Sequence, residues 1–124
     1  MHVTRPDRSE ATSPANAEYF DGVVRMQPLV SEDQSGELEL IAVFFESGAR
    51  TIPHRHSTDQ VLWVAEGTCV VADEAGRREV APGECVFVPA NRWHWHGAAP
   101  GLSACHVSIR KPGLTHWNVP RRDW

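Results

Sequence analysis

Short runs of β-forming residues recur along the chain and are separated by turn residues. The longest run, 37–46, is rich in apolar β-formers and predicts a buried strand. Further strands are predicted at short intervals, over residues 61–65, 68–72, 77–80, 85–88, 93–96 and 102–110. No window of a dozen residues has the apolar period of 3.6 that an amphipathic helix requires. The pattern therefore predicts an all-β domain, either a sandwich or a barrel.

The two ends of the chain lack this pattern. Residues 1–17 contain two prolines and no hydrophobic period, so we predict an N-terminal tail or a loosely docked arm. An apolar stretch over 19–30 predicts an edge strand that is interrupted at Asp21-Gly22 and ends near Pro28. The barrel would then occupy residues 18–111. Residues 112–124 form a C-terminal tail with two tryptophans, which is either a docked flap or part of a subunit contact.

The composition narrows the partners and the compartment. A chain of 124 residues is large enough for one domain, and its net charge of −4 gives no basic face, so no nucleic acid partner is expected. The longest apolar run is too short to span a membrane, and the N-terminus lacks a signal peptide's apolar core, so we expect a cytoplasmic protein with no membrane contact. We interpret the three cysteines, Cys69, Cys85 and Cys105, as reduced core residues.

Histidines are concentrated in two stretches about forty residues apart. His54 and His56 alternate along a predicted strand, so both side chains project from the same face. Gln60 follows four residues after His56, and the second stretch supplies His94. A lone His-x-His pair is most often part of a solvated face. Three imidazoles and one carboxamide together predict a site for one divalent cation.

The two stretches resemble the paired motifs of the cupin family, which are small double-stranded β-helix (jelly-roll) barrels. Every spacing of the first motif is kept, from Gly48 through the His-x-His pair and position 60 to Gly67. The second motif is matched at Gly83, Pro89 and His94, while Asn91 replaces a glycine and Ala98 an asparagine. The resemblance implies the barrel fold and makes His54, His56, Gln60 and His94 the metal ligands.

Position 60 departs from the usual motif, which has Glu where this chain has Gln. Four neutral ligands leave the full +2 charge on a bound cation, so the site would be a stronger Lewis acid and a better host for anions. Imidazole-rich sites suit manganese, iron, cobalt, nickel, copper and zinc, and the sequence alone does not choose among them.

A narrower resemblance, over about residues 19–110, is to the bacterial cupin-type hydroxynitrile lyases. It implies a manganese site with three histidines and one glutamine, and a pocket that contains Thr51, His96 and His106. At Arg110 we expect a glutamine in those lyases. Strand alternation independently places His106 and Arg110 on one face, and His96 on the side of His94. Thr51 is expected in the loop that enters the site.

The favoured function is a metal-dependent lyase that cleaves a cyanohydrin or a similar carbonyl adduct of small size. In this interpretation His106 or His96 is the base, Arg110 stabilises negative charge and Thr51 orients the substrate oxygen. The alternatives are an Fe(II)-dependent dioxygenase, an isomerase or cyclase acting on an enolisable substrate, and a non-catalytic metal- or ligand-binding module. Apolar residues near 19–26 and in the C-terminal tail predict a homodimer or homotetramer.

Overall fold

Strands make up about half of the chain in a computed structural model that describes residues 1–121. The strands are β1 (Phe20–Asp21), β2 (Val24–Val30), β3 (Glu39–Phe45), β4 (Arg50–Thr51), β5 (His54–His56), β6 (Gln60–Gly67), β7 (Cys69–Asp73), β8 (Gly76–Val80), β9 (Cys85–Val88), β10 (Trp95–Ala98), β11 (Ala104–Arg110) and β12 (Thr115–Trp117). Three short 3-10 helices lie at Arg8–Glu10, Ala17–Tyr19 and Val119–Arg121. In this part of the chain, no helix has the length and apolar character of a membrane span.

Two five-stranded antiparallel sheets enclose the core. One sheet has the order β1-β4-β10-β7-β8 and the other the order β2-β3-β11-β6-β9, while β12 pairs with β5. Side chains from both sheets meet in one buried cluster that includes Val43 and Phe45 from one sheet and Cys69 and Ala98 from the other. This is the all-β jelly-roll barrel that the sequence predicts.

Alternation along the strands separates the core from a second cluster on the opposite face. On β3, Val43 and Phe45 point into the barrel, whereas Phe44 packs with Cys105 and Val107 on the outer side. The N-terminal residues lie against this outer side. The Arg8 guanidinium is 5.1 Å from the centre of the Phe44 ring and forms a 2.7 Å ion pair with the carboxylate of Glu46. The first residues of the chain therefore include a docked arm.

Turn geometry agrees with the sequence motifs. The three motif glycines Gly48, Gly67 and Gly83 have φ angles of 69°, 70° and 86°, a region that side chains with a Cβ rarely adopt. Asn91, which replaces a motif glycine, has φ 64°. Asparagine is one of the few residues that enter this region at modest cost, so the substitution preserves the turn that leads to His94.

The strand predictions are wrong in some details. The stretch 19–30 is divided at Gly22 as predicted, but β2 continues past Pro28 to Val30 through an irregularity in its register. The two-residue strand β4 was not predicted, and it contains Thr51, which was expected in a loop. Cys85 is exposed and is not a core residue, although all three cysteines are free.

The C-terminal tail docks on the barrel. Strand β12 pairs with β5 in the register Thr115 to His56 and Trp117 to His54. The Trp117 ring stacks on Tyr19 with 4.5 Å between the ring centres. The sequence was compatible with either a docked flap or a subunit contact. In the structure, the described part of the tail packs against its own chain as a docked flap. Residues 122–124 of the predicted tail lie outside the described residues.

Candidate metal centre

Three buried histidines meet where β5 passes the residue that precedes β10. The backbones of His54 and His94 exchange two hydrogen bonds of 2.8 and 3.0 Å, which brings their ring centres to 4.4 Å. His56 lies on the same side of β5 as His54, with 5.0 Å between their rings. One ligand atom from each of the three histidines lies within 4.8 Å of the others. Metal–nitrogen bonds of about 2 Å hold two ligand atoms no more than about 4 Å apart, so a shared cation requires the rings to lie closer together than this limit.

The hydrogen bonds behind the rings orient the cluster. His54 Nδ1 donates to the carbonyl oxygen of Ile52 at 2.9 Å, and His94 Nδ1 donates to that of Arg92 at 2.8 Å. A carbonyl only accepts, so the proton of each neutral ring stays on Nδ1 and Nε2 keeps its lone pair. His56 Nδ1 lies 2.8 Å from Thr115 Oγ1, which fits the same tautomer.

Gln60 completes the set of donors. Its amide nitrogen donates to Ser108 Oγ at 2.8 Å, and its oxygen Oε1 lies 3.1 Å from His94 Nε2. The amide oxygen therefore faces the histidines. His56 Nε2 is buried and has no hydrogen-bond partner among the residues that the structure describes. Three imidazole nitrogens and one amide oxygen that converge in this way fit a divalent metal ion, and the chemistry of the donors does not fix its identity.

Burial keeps these imidazoles in the form that binds metal. It holds the pKa of His54 well below the ordinary 6.5, and the neighbouring His94 and His56 add to the effect. Burial, then Arg110 and His94, lowers the pKa of His56 to about 3. Burial also lowers the pKa of His94. All three rings are therefore neutral at pH 7, with free lone pairs for a cation.

A second pair of imidazoles lies beside the first three. His106 Nε2 is 2.9 Å from His96 Nδ1, and one proton is shared in this bond. The His96 ring lies 5.0 Å from that of His54, whereas the His106 ring packs against Phe45 at 5.2 Å. His96 is therefore the member nearer to the candidate metal ligands. His96 Nε2 and His106 Nδ1 are buried without a partner in the described part of the chain.

The pKa of both rings is lowered, mainly by burial. Burial and the nearby His106 hold the pKa of His96 well below 6.5, and burial lowers the pKa of His106 to about 4. Arg110, which shares a face of β11 with His106, is not among the groups that lower the pKa of His106. Arg110 instead acts on His54 and His56, because it lies four residues along β11 from His106, a span of about 13 Å.

The other two predicted pocket residues lie at opposite ends of the site. Thr51 is buried on β4, and its hydroxyl oxygen accepts a 3.2 Å hydrogen bond from the backbone N–H of His96. Arg110 lies at the end of β11, opposite Gln60 on β6 and Glu39 on β3. The structure thus brings all eight predicted site residues to one end of the barrel interior or to its border.

A cleft of about 640 Å³ opens between the edge strands β8 and β9. Val71, Val86 and Val88 line it, and His94 lies at its border. Strands β8 and β9 are the last strands of their respective sheets and do not pair with each other. The barrel is therefore open along this edge, and the cleft, which both apolar and charged side chains line, reaches His94 of the histidine cluster.

Sequence reasoning missed several residues of the site. Thr115 orients His56, and the Trp117 ring packs 4.6 Å from that of His54. In the segment Thr115–Trp117, the side chains on either side of His116 would share one face of a strand, and this was the only hint of β12 in the sequence. Three residues are too few to predict a strand. Glu39 forms an ion pair with Arg110. An acidic residue in the otherwise apolar strand β3 could have indicated that it has a charged partner. The Ile52 and Arg92 carbonyls have no sequence signal.

Comparisons with known proteins agree with this architecture. The family described as "Cupin domain" matches residues 41–108. An (R)-mandelonitrile lyase from Granulicella tundricola is 36% identical over 104 residues, which cover 83% of this chain and 79% of that protein.

Two solved structures are also similar. A cupin-like protein from Thermotoga maritima superposes with a TM-score of 0.82 at 31% identity, over 91% of this chain and 89% of that one. The polyketide cyclase RemF from Streptomyces resistomycificus superposes with a TM-score of 0.72 at 19% identity, over 88% and 79% of the two chains. At 19% identity, the second likeness shows the fold alone.

Proposed function

The chain belongs to the cupin family, and on that basis we propose that it is a metal-dependent lyase that cleaves a carbon–carbon bond in a small cyanohydrin or a similar carbonyl adduct. The observation that carries the proposal is the neutral pair His96–His106 beside the three-histidine, one-glutamine cluster. A lyase of this type needs a proton acceptor next to a centre that stabilises negative charge. The similarity to a mandelonitrile lyase supports this choice of reaction.

The metal-binding residues in this proposal are His54, His56 and His94, each through Nε2, and Gln60 through Oε1. A divalent cation held there supplies a Lewis acid for the substrate oxygen or the departing anion. We propose manganese as the bound metal. Iron, zinc, nickel, cobalt and copper also suit these donors. Because all four donors are neutral, the protein ligands cancel none of the cation's charge. That charge favours anionic leaving groups such as cyanide.

The imidazole pair supplies the proton acceptor of the proposed reaction. In the tautomer in which His96 Nδ1 donates to His106 Nε2, the other nitrogen of His96, Nε2, has a free lone pair. It takes the proton of the substrate hydroxyl, the carbonyl forms, and the carbon–carbon bond electrons leave with cyanide. Return of the proton to cyanide releases hydrogen cyanide and restores the neutral pair. His106 stabilises the charged form of His96 by accepting its Nδ1 proton in the hydrogen bond.

Thr51 is placed to orient the substrate. Its oxygen accepts from the His96 amide, so its own hydroxyl proton is available to a substrate oxygen. The same bond links the backbone position of His96 to β4, so the base and the orienting hydroxyl are held together. A substrate bound between them is positioned with its hydroxyl toward His96 Nε2.

Elemental analysis tests the metal assignment. The double variant His54→Ala/His56→Ala is expected to retain little metal, because it loses two of four donors. His116→Ala is the matched control, since His116 is an exposed imidazole on β12. Wild-type metal content in the double variant would contradict the assignment.

Cyanide release from mandelonitrile by the metal-loaded protein tests the reaction. We expect release that is lost in the double variant and kept in His116→Ala. No release above a protein-free control would contradict the lyase proposal. Consumption of dissolved oxygen in the same assay would instead indicate the dioxygenase alternative, and rearrangement of an enolisable substrate the isomerase or cyclase alternative.

A further inference from the structure

The guanidinium of Arg110 is held in place on one side only. Its Nη2 forms a 3.1 Å ion pair with Glu39 Oε1, and both side chains are 13% exposed. The other amino group, Nη1, is buried and has no hydrogen-bond partner among residues 1–121. A buried charged donor without an acceptor is destabilising, so an unpaired Nη1 indicates a group that the folded chain itself does not supply.

The direction in which Arg110 faces follows from the register of the sheet. Arg110 lies between Glu39 on β3 and Gln60 on β6, with all three side chains on the same face. Directly opposed residues have Cβ atoms about 5 Å apart, so Arg110 is a neighbour of a candidate metal ligand. The guanidinium thus lies next to the candidate ligand Gln60 and is paired with the Glu39 carboxylate.

The chemistry of this arrangement favours a small anion. A guanidinium binds carboxylates strongly because its donors are charged and arranged in a planar fork. Glu39 holds the guanidinium of Arg110 in place and leaves its second amino group, Nη1, without a partner among the described residues. Because the side chain is already ordered, binding a ligand there costs little additional side-chain entropy. The four neutral donors add no negative charge that would repel an anion. One free amino group suits a carboxylate better than a phosphate, which gathers several donors.

We propose that Arg110 binds a substrate carboxylate and that the substrates of this site are small hydroxy acids, cleaved at a carbon–carbon bond. This inference rests on the lyase function proposed above and specifies its substrate class. The substrate spans the barrel end, with its carboxylate on Arg110 Nη1 and its hydroxyl at His96 Nε2. The substrate hydroxyl gives its proton to His96 Nε2, the O–H electron pair forms the new carbonyl, and the bond breaks between the hydroxyl carbon and a neighbouring carbon that carries a second carbonyl group. The electrons of that bond form an enolate, which takes the proton back from His96. Arg110 binds and positions, and it takes no part in proton transfer.

Binding measurements test the inference independently of turnover. Isothermal titration calorimetry compares mandelate with mandelamide, which has the same ring and hydroxyl but no charge. We expect the metal-loaded wild-type protein to bind mandelate about 10- to 100-fold more tightly, the range of a hydrogen bond between charged groups. Arg110→Gln is expected to lose most of this preference. Arg25→Gln, which removes an exposed guanidinium from β2, is the control and should keep it.

The opposite results overturn the inference. If the wild type binds both ligands equally, or if Arg110→Gln keeps the preference, the carboxylate contacts the metal or solvent and not Arg110. Arg110→Lys provides a second measurement if Arg110→Gln does not fold. One ammonium group cannot pair with Glu39 and also present a second planar donor, so the preference should fall at least several-fold. An undiminished preference in Arg110→Lys also contradicts the proposal.

The two proposals fail in different ways. Mandelonitrile cleavage without Arg110-dependent discrimination would retain the lyase function and overturn the carboxylate site. Arg110-dependent discrimination without cleavage would retain the carboxylate site and overturn the lyase function.

Discussion

One hydrogen bond joins His96 and His106, and the two rings differ in their distance from the candidate metal ligands. His96 lies near His54, while His106 is fully buried behind it and contacts Phe45. His106 is not close enough to the cluster to be grouped with its ligands. In the structure, His106 thus lies behind His96 and apart from the candidate metal ligands.

We predict that His106→Ala retains the metal and the fold but lowers turnover of mandelonitrile about 10²-fold or more, the range for loss of an assisted proton acceptor. Without His106, the imidazolium formed at His96 has no acceptor for its Nδ1 proton. Metal stoichiometry and cyanide release, measured on one preparation, check this. Lost metal would make His106 a ligand, and unchanged turnover would make its role structural.

At the scale of elements, the short pair β5–β12 supports the metal centre from behind. Strand β5 contains two of the candidate ligands, and β12 supplies Thr115 to one of them and Trp117 to the other. This pair is separate from the two large sheets. The orientation of His56 therefore depends on a segment that contributes little to the main core.

We predict that Thr115→Val weakens metal binding about 10- to 100-fold, the usual effect of removing a hydrogen bond to a metal-ligating histidine. Valine has nearly the shape of threonine but cannot accept the Nδ1 proton of His56. Competition with a chelator measures the affinity. His116→Ala, on the same strand but exposed, should bind metal as tightly as the wild type. Equal affinities in all three proteins would show that Thr115 has no such role.

The sequence predicted those elements whose signal is local. Runs of β-forming residues were sufficient to predict β3, β6 and β11, because each of these strands is seven or eight residues long. Strands β4 and β12 have two and three residues, and their pairing is set by partners far away in sequence. For the same reason the four candidate ligands were predicted from their spacing, whereas the Thr115–His56 contact was not.

For the whole molecule, the buried imidazoles make stability depend on pH. Burial lowers the pKa of His106 to about 4, with a smaller lowering from His94, and the groups that face it are His96 and the Phe45 ring. The unfolded chain takes up a proton near pH 6.5, while the folded chain does not until about pH 4. The unfolded state therefore binds more protons in this interval, and stability is lost as the pH falls.

We predict that the metal-free protein loses stability on acidification from pH 6.5 to pH 4, and that His106→Gln reduces this loss by about 3 kcal/mol, at about 1.4 kcal/mol per pH unit. Glutamine keeps a polar side chain but does not titrate. Chemical denaturation at several pH values gives the free energy of unfolding. Parallel curves for the two proteins over this interval would show that His106 does not titrate as described.

Exposed apolar side chains bear on how copies of the whole molecule assemble. The apolar residues that suggested pairing, near Tyr19 and in the C-terminal tail, are partly occupied within the chain by the stacking of Tyr19 on Trp117. Large exposed apolar side chains lie elsewhere. Trp63 on β6 is 40% exposed and Phe87 on β9 is 62% exposed, both on the outer face of one sheet. We propose that this face is where two copies pair.

We predict a homodimer or homotetramer at micromolar concentration, measured by light scattering. Trp63→Lys/Phe87→Lys should give monomers of 13.8 kDa, because two charges would have to be buried in the contact. Leu102→Lys, at an exposed turn, should leave assembly unchanged. A monomeric wild type would contradict the prediction of assembly, and an oligomeric double variant would contradict this choice of face.

The contact between Thr115 and His56 also has a consequence for the order of events during synthesis. The two residues are 59 positions apart, and all four candidate ligands precede Thr115 in the chain. A ribosome therefore completes the whole donor set before it adds the residue that fixes the tautomer and orientation of His56. In the proposed metal site, tight retention of a cation would therefore require the Thr115 segment to have emerged from the ribosome and docked on β5.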